Sequence, residues 1–73
     1  MINWVKASNG NIPDGAIPVG KEADGKPLYI ARANYKNGVH IGKVRKEFGA
    51  ANIPYGGSEV KVTDYEVLVF KNV

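Results

Sequence analysis

Glycine and proline interrupt this sequence at short intervals, and this spacing limits its possible folds more than any other feature. Nine Gly and four Pro are spread over 73 residues, so apolar residues nowhere recur at helical spacing over as much as three turns. The segments between them are rich in β-branched and aromatic residues, which favour strands. We therefore predict an all-β fold, a small antiparallel β domain, with strands at 3–7, 16–21, 27–34, 39–45, 59–62 and 65–71.

The length of the chain allows one domain, spanning 1–73, with a limited core. A domain of this size buries only about 60–65% of the surface that its unfolded chain exposes. The sequence has no Cys and one His, which excludes disulfides and a clustered His/Cys metal site, so we expect neither metal nor cofactor. Self-association is the remaining common means by which so small a domain gains stability.

The charge of the chain is mildly basic and dispersed. Ten Lys and Arg against seven Asp and Glu give a net charge of +3, whereas nucleic-acid-binding domains concentrate basic residues in a stripe. No apolar run approaches the roughly 18 residues of a membrane span, and the first residues lack the basic start and apolar middle of a signal peptide. The sequence thus predicts a soluble protein, cytoplasmic or of undefined compartment, with no nucleic-acid partner and no membrane insertion.

Groups that carry out catalysis are scarce in this sequence. It contains no nucleophile motif, no metal-binding motif and no phosphate-binding loop followed by a helix. The single histidine, His40, alternates with Val39 and Ile41 on a predicted strand, so we place it on the opposite face in a packing or solvated role. We expect the protein not to be an enzyme.

One acid and one lysine are the best candidates for a binding site. Asp24 precedes Gly25 in a pair that favours a tight hairpin turn, and Lys43 follows Gly42 on the strand predicted at 39–45. A carboxylate accepts hydrogen bonds from two neighbouring hydroxyls while an ammonium donates to their oxygens, so such a pair suits a neutral, polyhydroxylated ligand. From the residues alone, the favoured interpretation is that Asp24 is an ordinary turn residue and Lys43 a surface charge.

The aromatic residues fall into two groups by position. Those near turns or termini are placed to stack against a sugar face, and those in or beside apolar strands are placed in the core. Trp4 lies in the first group by position, but for a single Trp in a domain without Cys, burial as a core anchor is the favoured interpretation. The other residues of the first group are Tyr35 and Tyr55, and the predicted core group comprises Tyr29, Phe48, Tyr65 and Phe70.

Two patterns bear on assembly. The strand at 65–71 is apolar on nearly every residue of its C-terminal half, which predicts that this half is covered on both faces inside an assembly. The segment 11–15 recurs in similar form at 52–56. This match indicates either two similar half-units or turn chemistry that arises twice.

Seven blocks of the sequence together resemble the DM9 repeat family. They include Glu22-Ala23-Asp24-Gly25 and Gly42-Lys43-Val44 and occur in the family's order and spacing over nearly the whole chain, at 4–10, 12–16, 20–25, 28–33, 42–44, 53–59 and 65–68. The resemblance implies an all-β fold and a lectin that binds mannose or mannose-rich glycans. It also implies that Asp24 and Lys43 are the carbohydrate-binding residues, because the family's binding acid and lysine lie in those two blocks.

The chain departs from the family pattern in ways that affect this expectation. Ile41 stands where proline usually precedes Gly-Lys-Val, which is expected to shift the segment that carries Lys43. Family lectins with two tandem repeats exchange strands about a pseudo-twofold axis, so a single repeat is expected to form a strand-exchanged homodimer. The alternative is a structural or oligomerisation module without sugar affinity.

Overall fold

The computed structural model describes residues 1–71 and is all-β, as predicted. The described part of the chain forms antiparallel strands and one short 3₁₀ helix, Lys46–Phe48. The strands are β1 Ile2–Ser8, β2 Pro18–Lys21, β3 Pro27–Tyr35, β4 Gly38–Val44, β5 Ala51–Tyr55, β6 Ser58–Val62 and β7 Asp64–Phe70. Within residues 1–71 no helix is long and apolar enough to cross a membrane.

Strand β5 was not predicted, because it contains Pro54 and resembles the turn-like segment 11–15. Segment 11–15 is a loop without strand pairing, whereas Asn52 to Tyr55 pair with β6 from Lys61 to Ser58. The two matching segments therefore have different structures. Their likeness in sequence does not correspond to two similar half-units.

The strands form one sheet in the order β1-β7-β3-β4-β5-β6, with β2 paired to β3 beside this path. Strand β4 pairs along its whole length with β3, from Tyr29↔Val44 to Tyr35↔Gly38. A two-residue turn at Lys36–Asn37 joins them, with φ of 50° and 62°, which is the positive-φ geometry of tight hairpins.

The sheet is sharply bent, because two strands that are far apart in the strand order must come close enough to be joined by a single residue. Thr63 alone separates β6 at one edge from β7 near the other edge. Strands β4 and β5 pair at only two positions, Lys43↔Asn52 and Val44↔Ala51, beyond which the backbone of β5 crosses close over Gly42. Strands that bend from one layer into another form the corners of orthogonally packed sheets.

The core lies on the concave side of this bend and is built from small side chains. Val44 and Ile53 are fully buried there, and the alternating residues Lys43 and Pro54 lie on the opposite side. The loop after β1 closes the core, since the Tyr65 hydroxyl donates to the Asn11 carbonyl at 3.0 Å. The buried cluster comprises Ala31, Ala33, Val44, Ala51, Ile53, Tyr65 and Val67.

The outer side of β7 is not covered in a single copy of the chain, contrary to the sequence prediction for Phe70. Phe70 is 53% exposed, and Ile2 opposite it on β1 is 58% exposed. The next pair on the same side, Trp4 and Leu68, is half-buried. We call these four residues the outer patch.

Candidate functional site

Asp24 lies in the tight turn that joins β2 to β3. The Gly25 N–H donates to the Glu22 carbonyl and the Glu22 N–H donates to the Lys26 carbonyl, both at 2.9 Å. Gly25 has a φ of +86°, which glycine adopts without strain. The Lys26 N–H also donates to Asp24 Oδ1 at 3.0 Å. The backbone of the turn therefore orients the carboxylate.

A second group holds the Asp24 carboxylate from the end of β4. Arg45 Nη1 donates to both Asp24 oxygens at 3.2 Å. The hydrogen bond from the Lys26 N–H, reinforced by the Arg45 guanidinium, lowers the pKa of Asp24 below its ordinary value. Asp24 thus stays ionised well into the acidic range.

Arg45 belongs to a cluster of four charges around this turn. Its guanidinium carbon lies 4.8 Å from the centre of the Phe48 ring, and its Nε lies 3.8 Å from Glu47 Oε1. Lys26 Nζ lies 3.2 Å from Glu47 Oε2. A hydrogen bond from the Glu47 backbone N–H, helped by Lys26, lowers the pKa of Glu47. Two acids and two bases alternate, so the cluster is neutral overall.

Lys43 lies on β4, on the outer side of the sheet, between Ile30 on β3 and Asn52 on β5. Its Nζ lies 3.3 Å from Glu59 Oε2. Asn52 is buried, and its Oδ1 has no hydrogen-bond partner within residues 1–71. The surroundings of Lys43 are thus polar on the β5–β6 side and apolar on the β3 side.

The structure brings the two predicted site residues to the same end of β4 without pairing them directly. Asp24 pairs with Arg45, and Lys43 pairs with Glu59. Arg45 follows Lys43 by two residues and its backbone is extended (φ −145°, ψ 160°), so both side chains leave the chain on the same side. Asp24 therefore contacts Arg45, which lies two residues from Lys43 on the same side of the chain. Roughly half of each predicted side chain is exposed, 48% for Asp24 and 44% for Lys43.

Sequence reasoning missed Arg45 and Glu59. A signal for Arg45 was present, because Lys43 and Arg45 share a face of the strand predicted at 39–45. Glu59 had no such signal, since it reaches Lys43 only through the pairing of β5 with β4 and β6, and β5 was not predicted.

Ile41 does not displace Lys43 from a regular position. It lies within β4, paired to Arg32 on β3, and Lys43 follows two residues later in the same uninterrupted strand. Ile41 is 56% exposed. Its effect is to add apolar surface beside Lys43 while the backbone of β4 stays regular.

A comparison with protein-family models matches the DM9 repeat over residues 1–62. The chain belongs to the DM9 repeat family. A search of curated proteins gave no significant match. Both Asp24 and Lys43 lie within the matched segment of this DM9 repeat, as do Arg45 and Glu59.

The match ends with β6, and β7 follows it. In the structure β7 pairs with β1 along its whole length and with β3 at Ala31↔Val67 and Arg32↔Glu66. Buried Tyr65, Val67 and Val69 all come from it. The DM9 segment of this chain therefore completes its core with a strand from beyond the matched residues.

The predicted stacking residues Tyr35 and Tyr55 lie away from Asp24. Tyr35 and Tyr55 pack edge-to-face with each other, their ring centres 5.1 Å apart, and both contact the His40 ring. His40 faces away from exposed Val39 and Ile41, as predicted, and its Nε2 lies 2.9 Å from the Tyr35 carbonyl oxygen. Tyr35 and Tyr55 form a ring cluster at the far end of β4 and do not flank the Asp24 turn.

Trp4 also lies apart from the Asp24 turn. The Arg32 guanidinium carbon lies 4.4 Å from the centre of the Trp4 ring, and Arg32 Nε donates to Glu66 Oε1 at 2.7 Å. Trp4 is neither a core anchor nor an open stacking platform.

The side chains of Asp24 and Lys43 are about half-exposed at the surface. A cleft of about 750 Å³ opens where β3 and β7 diverge, lined by Lys6, Asn34 and Asp64 among others, and it includes neither residue. Within residues 1–71 no group of three or more His, Cys, Asp or Glu side chains is arranged to hold a metal ion. The site can form hydrogen bonds and ion pairs with a ligand that lies against the surface.

Proposed function

We propose that this DM9 repeat is a carbohydrate-binding module, a lectin that binds mannose or mannose-rich glycans through Asp24 and Lys43. The observation that carries the proposal is the fixed, half-exposed placement of the two groups at one end of β4. The turn backbone and Arg45 hold Asp24, and a regular strand holds Lys43. Groups that are already ordered lose little conformational entropy when a ligand binds.

The chemistry of the pair suits vicinal hydroxyls. A carboxylate offers about four acceptor positions and an ammonium three donors. Asp24 accepts one hydrogen bond from Lys26 and two from Arg45, which leaves about one acceptor position. Lys43 contacts Glu59 and keeps about two donors, so both groups retain capacity for a ligand. Binding needs no proton transfer, and the proposal contains no catalytic step.

An open polar site of this kind binds one sugar weakly, with a Kd of about 1 mM, or about −4 kcal/mol. We propose that the chain forms a strand-exchanged homodimer, so that two sites act together on one glycan surface. Thr63 is a one-residue joint between β6 and β7, and joints this short favour exchange of the strand that follows. The exposed outer patch supplies apolar surface for the second copy to cover.

The binding test is to titrate the protein with mannose and to record the NMR shifts of the backbone amides of Asp24, Gly25 and Lys43. We expect saturable shifts in the parent protein and their loss in Asp24→Ala and Lys43→Ala. Asp14→Ala and Lys6→Ala remove the same charges elsewhere on the surface and serve as matched controls. Absence of shifts at about 50 mM mannose, well above the expected Kd, would rule out the mannose site.

A second candidate function is a structural module without sugar affinity. The observation in its favour is that both predicted binding groups already have counter-charges, Arg45 and Glu59. It predicts that the parent chain self-associates, and that glycan-array signals are absent or are unchanged in Asp24→Ala and Lys43→Ala. A glycan array with the parent and the two variants separates the two functions.

A further inference from the structure

We propose that Arg45 is the positioning residue of the site and sets the place of Asp24 relative to Lys43. This role rests on the proposed sugar-binding function. Arg45 touches Asp24 through its side chain and is joined to Lys43 through two residues of extended backbone. It therefore connects the turn that carries Asp24 to the strand that carries Lys43.

The turn that carries Asp24 needs such a connection, because its hairpin is weakly anchored. All four residues of β2 are exposed. The pairing of β2 with β3 covers three positions and is broken by an irregularity between Pro18 and Gly20. A hairpin arm with so few buried contacts opens and shifts easily. The contact from Arg45 ties its tip to β4.

Arg45 is itself firmly placed. It follows fully buried Val44, and only 17% of its side chain is exposed. The Phe48 ring packs against the guanidinium. Its Nε is buried and lies too far from Glu47 for a hydrogen bond. Within residues 1–71 the side-chain hydrogen bonds of Arg45 all go to Asp24.

These contacts predict which property of the site Arg45 controls. Arg45→Met keeps a long side chain over Phe48 but removes the charge and the two hydrogen bonds to Asp24. The carboxylate then depends on the Lys26 N–H alone, on a poorly anchored turn. We expect mannose to bind about tenfold more weakly, the scale of one lost charge-assisted hydrogen bond.

The experiment compares mannose titrations of the parent, Arg45→Met, Arg45→Lys and Arg32→Met. Arg32 is the matched control, because it also pairs with a carboxylate, Glu66, and packs on an aromatic ring, Trp4, but lies outside the site. We expect parent-like affinity in Arg32→Met and intermediate affinity in Arg45→Lys, which keeps the charge. The pKa of Asp24, measured by NMR without sugar, should rise in Arg45→Met and not in Arg32→Met.

The outcomes separate this role from the function on which it depends. If the parent does not bind mannose, both proposals are overturned. If the parent binds and Arg45→Met binds equally well, the positioning role alone is overturned. Urea unfolding of each variant measures whether a loss of affinity merely reflects a loss of stability. If Arg45→Met and Arg32→Met lose affinity equally, and in proportion to their loss of stability, the positioning role is also overturned.

Discussion

At the level of single residues, the near neighbours of Asp24 favour its ionised form. Asp24 receives hydrogen bonds from a backbone N–H and a guanidinium. Both interactions stabilise the ionised carboxylate, which is why the pKa of Asp24 is lowered. The proposed sugar-binding role of Asp24 relies on this ionised form, because a carboxylate accepts hydrogen bonds from hydroxyl groups.

This charge state predicts how binding depends on pH. Because the folded-state pKa of Asp24 lies below its unfolded value, the stabilising contribution of the carboxylate is present above the unfolded pKa and is lost as pH falls through the folded one. We expect mannose affinity to be constant from neutral pH to about pH 4 and to fall below it. NMR titrations at several pH values measure this, with Trp4 fluorescence as the check that the protein stays folded. An affinity that already declines at about pH 6 would assign control to a group other than Asp24.

At the level of elements, the sequence predicted those strands whose apolar pattern is visible within the strand segment itself. The segments at 27–34 and 39–45 differ from β3 and β4 by one residue at each end at most. Strand β5 was missed because Pro54 and two following glycines are typical of turns, and because its burial comes from packing onto β4 and β6. The placement of Glu59 beside Lys43 depends on that packing and was equally inaccessible.

The crossing of β5 over β4 explains the glycine before Lys43. A Cβ at Gly42 would collide with the Asn52 carbonyl oxygen and lie 3.0 Å from the Ile53 Cα. These are backbone atoms of a buried strand, so they cannot move aside cheaply. The Gly42-Lys43 motif therefore combines a packing requirement with an outward-facing lysine.

We predict that Gly42→Ala lowers the free energy of unfolding by about 3 kcal/mol, the upper range for overpacking a core. Gly20→Ala is the matched control, because a Cβ at Gly20 on β2 meets nothing within 4 Å. Urea unfolding followed by circular dichroism measures both. A stability of Gly42→Ala within about 0.5 kcal/mol of the parent, the range of ordinary surface substitutions, would show that β5 does not cross there.

At the level of the whole molecule, the outer face is the feature that a single copy leaves unexplained. The core depends heavily on Ala side chains, and its largest fully buried side chain is Ile53, while Phe70 and Ile2 remain exposed on the other side. Small domains with little core gain stability by association. A second copy seated on the outer patch would supply the burial that the sequence predicted for the C-terminal half of β7.

This arrangement predicts that the protein has twice the 7.9 kDa mass of one chain in light scattering. Phe70→Glu should give a monomer, because each of the two copies would bury one negative charge in a twofold interface. Val39→Glu, on β4 and 63% exposed, is the control and should leave the dimer intact.

Insertion of two glycines after Thr63 tests the strand exchange itself, since a longer joint lets β7 fold back onto its own chain. A monomeric parent contradicts the dimer, and a dimer unaffected by the insertion contradicts strand exchange but not association through the outer patch.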